Sequence, residues 1–238
     1  MATATRPGSG KPTNIVNTAA AASASPGAHR PPLSERVVGW AKAHKKITWW
    51  TGGILLVGAG LFLWTLSTQR RTEEIASRDL QGARFAFENQ NLPLAASELA
   101  KVIANFAETN AAAEARILLA NVRLLEKQPQ QAVTVLKDFA PGAGQAYRAQ
   151  AFGLLGAAYE DMGQPRQAGE AYENGSAAAR LDFLKAQMLS DAGRAWTSAG
   201  DTARAVADYR RIVTEFAKEG MAAEAKVRLS ELTKGTAS

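Results

Sequence analysis

The chain has 238 residues, of which 46% are hydrophobic but only 7% aromatic, and its formal net charge is +6. It has no cysteine, which excludes a disulfide framework, a thiol nucleophile and a thiolate metal site. Residues 1–46 hold seven Lys/Arg against the single acid Glu35, so of 28 basic and 22 acidic residues 21 of each remain beyond them. The folded part is therefore electrically neutral. A surface that tracks phosphates needs excess cations on the fold itself, so nucleic acid is excluded as a partner.

Residues 1–35 are rich in Ala, Ser, Thr, Pro and Gly without apolar periodicity. Such a stretch cannot bury enough surface to offset ordering entropy, and a disordered basic tail is expected. Residues 36–46 form a basic juxtamembrane segment with Trp40, Lys42, His44, Lys45 and Lys46. The run 47–68, ITWWTGGILLVGAGLFLWTLST, carries no charge. As a helix its 22 residues reach about 33 Å at 1.5 Å per residue, enough for a hydrocarbon core of about 30 Å. Trp49 and Trp50 near one end and Trp64 near the other suit the two interfaces. A transmembrane signal anchor in contact with the lipid bilayer is expected. A cleaved signal peptide fits less well, because the charged region before the run is too long and no A-x-A-like site follows. Arg30, Arg36, Lys42, Lys45 and Lys46 precede the run, and Arg70, Arg71, Arg78 and Arg84 follow it. That imbalance favours a cytoplasmic N-terminus and a C-terminal domain outside the cytoplasm.

From residue 71 to 238 apolar residues recur at helical spacing, and internal similarity sets the fold. Ala96, Ala132, Ala168 and Ala205 sit in matching segments 36, 36 and 37 positions apart. Phe106-Ala107-Glu108 with Ala112-Ala113-Glu114-Ala115-Arg116 returns as Phe216-Ala217-Lys218 with Ala222-Ala223-Glu224-Ala225-Lys226. The clearest unit runs Phe152, Leu155-Gly156, Tyr159, Gly163, Ala168 and Tyr172, and the next runs Leu189, Ala192-Gly193, Trp196, Gly200, Ala205 and Tyr209. Small residues at Gly156 and Ala168 allow two antiparallel helices to approach, with Tyr159 and Tyr172 filling the groove between them. Gly163 and Pro165 suit a helix stop and a helix start. This pattern resembles the tetratricopeptide repeat family. Two earlier units fit less closely, with Arg123 at an aromatic position and Arg84 at a small one.

With the transmembrane helix read from the apolar run, the resemblance implies an all-α fold: one N-terminal membrane helix, then an α-solenoid of about four tetratricopeptide-like hairpins over residues 71–238, closed by a capping helix near Ala222 to Lys234. With its anchor, the layout is similar to the ancillary subunits of the Sec translocon, inner-membrane proteins with a periplasmic repeat domain. That similarity implies a scaffold at the inner membrane with partners such as the Sec translocon or periplasmic chaperones. A membrane-tethered adaptor with a cytoplasmic repeat domain is the alternative, and an enzyme with an unrecognised site the remote one.

No constellation for catalysis emerges, and no enzyme is expected. His29 and His44 are the only histidines and both precede the folded part, so no metal site and no Ser-His or Cys-His pair is expected. Gly58-Ala59-Gly60 lies within the apolar run, and no cofactor-binding loop is present. Glu73-Glu74, next to Arg70-Arg71, suits local helix pairs. Asn174-Gly175-Ser176 matches a glycosylation sequon in a stretch that reads as a turn. What remains is a groove built by first helices of stacked hairpins, a surface that takes peptides or partner helices. The family pattern puts Glu114, Asn121, Gln150, Glu160, Gln187, Arg194 and Thr197 on it.

Overall fold

A computed structural model of the chain describes Ser34 and residues 45–234, without the side chains of 45–48 and 51–52. All of the expected disordered tail but Ser34, and all of the juxtamembrane segment but Lys45 and Lys46, lie outside those residues. The chain divides into two units, Met1–Gly60 and Leu61–Ser238. The described residues are helical throughout, with ten helices and no strand.

Helix α1 covers Lys45–Glu88. Part of the expected membrane span, residues 47–48 and 51–52, falls outside the described side chains. Among the described residues no helix is long and apolar enough to cross a membrane. Most of the apolar side chains described there are exposed: Trp49, Trp50, Ile54, Leu55, Leu56, Val57, Leu61, Phe62, Leu63 and Trp64 are 57 to 86% exposed, while Leu66 is half-buried.

Within the second unit, the end of α1 pairs with α2 (Leu92–Asn105), and α3 (Asn110–Leu125) pairs with α4 (Pro129–Leu136). A one-turn α5 (Phe139–Gly142) interrupts the series. Then α6 (Arg148–Asp161) pairs with α7 (Pro165–Ala178), and α8 (Asp182–Ser198) with α9 (Thr202–Glu215). Finally α10 (Met221–Leu232) closes the stack against α8 and α9. Four hairpins and a final helix are the architecture of a tetratricopeptide-like solenoid. The break after α4 has a local cause. Pro141 lacks an N–H for the carbonyl of Lys137 and its ring clashes there, so the second helix of that hairpin stops early.

The core is a chain of shared clusters rather than one centre. Ala76, Leu80 and Ala83 of α1 meet Ala95, Leu99 and Val102 of α2 and Ala115, Leu119 and Val122 of α3. Ile117 and Ala120 meet Ala132 and Leu136, then Ala151, Leu155 and Ala158. Ala168 and Tyr172 meet Leu189 and Trp196, then Tyr209, Ile212 and Leu229. Each hairpin thus buries its apolar ridge on its neighbour, which makes stability a nearest-neighbour sum.

The turns repeat as well. Gln90, Lys127, Gly163 and Gly200 each follow the first helix of a hairpin, and each has positive φ, between 58 and 75°. Pro165 opens α7, as its fixed φ suits, and Asp201 caps α9 by accepting from the Arg204 backbone N–H at 3.1 Å. Glu73 does not make a local pair. Its two carboxylate oxygens accept the backbone N–H groups of Asn110 and Ala111, both at 2.9 Å, and so close the N-terminus of α3 from α1. The sequon stretch also differs from the expected turn. It lies inside α7, where Gly175 abuts the Met188 sulfur and buried Ser176 donates to the carbonyl of Lys185 at 3.2 Å.

Candidate interaction groove

First helices of the hairpins line two clefts in the second unit. The larger, about 550 Å³, lies between α8 and α10 with Tyr209 of α9 on its wall. Gln187, Arg194 and Thr197 line it together. Their spacing of seven and three along α8 puts them on one stripe of the helix. Glu160 joins from α6, because Arg194 donates to it across the gap between α6 and α8. Arg194 also donates to Asp191 at 2.9 Å. Burial alone would lower the Arg194 pKa, and these two carboxylates outweigh it, so the guanidinium stays charged. Tyr172 donates to the second oxygen of Glu160 at 2.7 Å. Burial first, and this bond second, push the phenol pKa up, which fixes Tyr172 as a donor.

The smaller cleft, about 250 Å³, lies between α1 and α3. Glu114 lines it, bound by Arg84. Asn121 is half-buried on α3 and Gln150 exposed on α6, and neither lines either cleft. Thr197 spends its hydroxyl on the Gly193 carbonyl at 2.7 Å.

The sequence reading missed the wall that α10 contributes, Glu224, Arg228 and Glu231. Reading α10 only as a cap hid it, although the repeat register signals it. Arg228 and Glu231 stand 37 positions after Asp191 and Arg194, with the charges exchanged. The cleft therefore shows opposed charge pairs: Asp191–Arg194 on one wall, and Arg228 with Glu231 at 3.3 Å and Glu224 at 3.7 Å on the other. Its lining holds three carboxylates, Asp191, Glu224 and Glu231, against two guanidiniums, Arg194 and Arg228, so both signs are present with a small acidic excess. A third cleft, about 540 Å³, lies beside α5, where Arg116 sits 5.3 Å from the centre of the Phe139 ring. Among the described residues no group of three or more His, Cys, Asp or Glu could hold a metal.

A family model for the tetratricopeptide repeat-like domain matches residues 65–189, over half of the chain. The chain belongs to the tetratricopeptide repeat-like domain family. Among solved structures, a Podosopora anserina kinesin light chain protein of nearly identical tetratricopeptide-like repeats is similar in fold. A single-substitution form of it aligns with a TM-score of 0.54 at 20% identity, over 69% of this chain and 87% of that one. A second structure of it gives 0.53 at 21% identity over the same shares. At that identity the likeness concerns the fold alone. No curated protein matches the chain, and none of these findings points to the ancillary subunits of the Sec translocon. Tetratricopeptide-like solenoids generally bind other proteins, and the repeat domain is of a kind typical of scaffolds rather than enzymes.

Proposed function

We propose that this tetratricopeptide-like protein is a membrane-anchored scaffold that takes an extended peptide or partner helix along the first-helix face, with the cleft between α8 and α10 as its main seat. The observation that carries this reading is that cleft, with Gln187, Arg194 and Thr197 facing Arg228 within a fold family that binds proteins. Its mixed charges, with both signs on each wall, fit a partner read by hydrogen bonds more than by a strong net charge. Anchoring rests on the uncharged run 47–68 and is supported by the exposure of its described apolar side chains. The charge imbalance across the run favours a domain outside the cytoplasm, in the periplasm if the membrane is an inner membrane. Translocon subunits or periplasmic chaperones are then the partners to look for.

Two measurements test the reading. The full chain should stay with membranes through alkaline carbonate washing, and a periplasm-dependent reporter fused after Ser238 should be active. Release into the wash would remove the anchor, and an inactive periplasmic reporter with a fluorescent cytoplasmic one would make the protein a cytoplasmic adaptor. Photo-cross-linking from Gln187 should capture a partner that Arg194→Glu loses. Equal capture by the variant would move the binding seat elsewhere.

A further inference from the structure

Asp208 is 4% exposed on α9, and its Oδ2 has no hydrogen-bond partner. A buried, unmatched carboxylate oxygen costs free energy that a protonated carboxyl largely avoids. Nothing in the α8–α10 cleft employs it, although the next residue, Tyr209, forms part of the cleft wall. Two of the charges that reach it, Glu173 of α7 and Arg204 of α9, both hold Trp196 of α8 where the third hairpin meets the fourth. Trp196 of α8 lies against Gly169 of α7, so closely that a Cβ there would come within 2.5 Å of the indole. The Trp196 Nε1–H donates to Glu173 of α7 at 2.8 Å, and the Arg204 guanidinium covers the indole at 4.4 Å.

We infer that Asp208 is a proton-operated latch: protonated, it lets α9 seat firmly on α8, and ionised, it loosens α9 and with it the wall of the α8–α10 cleft. Burial is the main force on this carboxyl and the Glu173 charge adds to it, while Arg211 and Arg204 oppose both, and the balance lifts its pKa to about 7. Of these charges one stands on α7 and two on α9 itself, and Tyr209, the next residue of α9, is a further titratable group on which the Asp208 charge acts. The sign follows from linkage. An unfolded Asp titrates near 3.8, so the folded state holds the extra proton between about 4 and 7. The stabilisation is complete below the lower value and is lost as pH rises through the upper one. The latch needs neither a bound partner nor a membrane anchor to operate.

Hydrogen exchange of the full chain in detergent, from pH 6 to 8 and corrected for intrinsic exchange rates, tests it. Protection of the α9 amides should fall about tenfold across that range, by linkage between the two pKa values, while α2 and α3 hold steady. Asp208→Asn, which keeps the shape, should make α9 insensitive to pH. Glu173→Gln should keep the response and move its midpoint to lower pH, which a merely structural residue would not do. A flat response in the natural chain, or an undiminished one in Asp208→Asn, overturns the latch. Should Asp208→Asn fail to fold, Glu173→Gln decides, and an unmoved midpoint counts against the proposal.

Discussion

In the third hairpin Gly156 receives Tyr172, and in the fourth Gly193 receives Tyr209; a Cβ on either glycine would come within 2.6 or 2.8 Å of the ring. The equivalent positions, seven before and nine after the positive-φ residue of each turn, hold Ala120 and Leu136 in the second hairpin and Ala83 and Leu99 in the first, all four buried. Size is traded across the pair: the smaller the second-helix residue, the larger the first-helix one. The first hairpin makes the same exchange as the second, and the neighbouring Arg84 is exposed and reaches out to Glu114. One architecture is thus held by a glycine notch and an aromatic plug in its C-terminal half. In its N-terminal half it is held by aliphatic contacts reinforced from outside, by Glu73 on the start of α3.

The largest expected effect comes from forcing the N-terminal solution onto the third hairpin. Gly156→Ala should cost about 1–3 kcal/mol in urea unfolding of the full chain, because the new methyl overlaps Tyr172 in a closed core. Adding Tyr172→Leu reproduces the Ala120–Leu136 pair and should recover at least half of that loss. If the double variant is no better than the single one, the two halves are not alternative solutions of one contact.

This trade also explains what could be read from sequence. Gly156, Tyr159, Ala168 and Tyr172 stand out because notch and plug are residue types with few other uses at those spacings. The helical class and the repeat follow directly from them. Arg84 looks like a misfit only in a strict count of 36, because the first turn, at Gln90, lies 37 positions before Lys127 and puts Ala83 at the small position. Arg123 likewise stands at an aromatic position, yet it holds the following turn by donating to Glu126 at 2.8 Å and Gln128 at 3.1 Å. Glu73 could not be placed, because its partners are backbone N–H groups 37 and 38 residues away, and backbone donors leave no mark in sequence. Of the groove, Gln187, Arg194 and Thr197 come together because a helical stripe is local. Arg228 and Glu231 come from a helix whose second role, as a wall, depends on where the stack ends.

The external cap offers the next test. Glu73→Ala should destabilise the N-terminal half by about 1–2 kcal/mol, since two helix-start donors lose a charged acceptor and the Ala111 one is buried. Glu73→Gln keeps an acceptor without the charge and should restore roughly half. Hydrogen exchange should place the loss in α3 and leave α8 and α9 unaffected, as nearest-neighbour coupling requires. A uniform loss across the solenoid would mean the halves unfold as one body.

The smallest effect concerns the turns, and there the N-terminal half should gain. Gly163 and Gly200 take φ of 66 and 75° without a Cβ penalty, whereas Lys127 holds 58° with a full side chain. Lys127 is exposed, and its backbone N–H closes α3 by donating to the Leu124 carbonyl at 3.0 Å, a bond that glycine keeps. Lys127→Gly should therefore stabilise the second hairpin by a few tenths of a kcal/mol to about 1, the relief of left-handed strain less the added freedom of the unfolded chain. The reverse change, Gly163→Lys, should cost about 1 kcal/mol. Opposite signs at matched turns would show that a positive φ is demanded by the hairpin geometry itself, whichever residue occupies it. Equal signs would show that each turn is shaped by its own side chain.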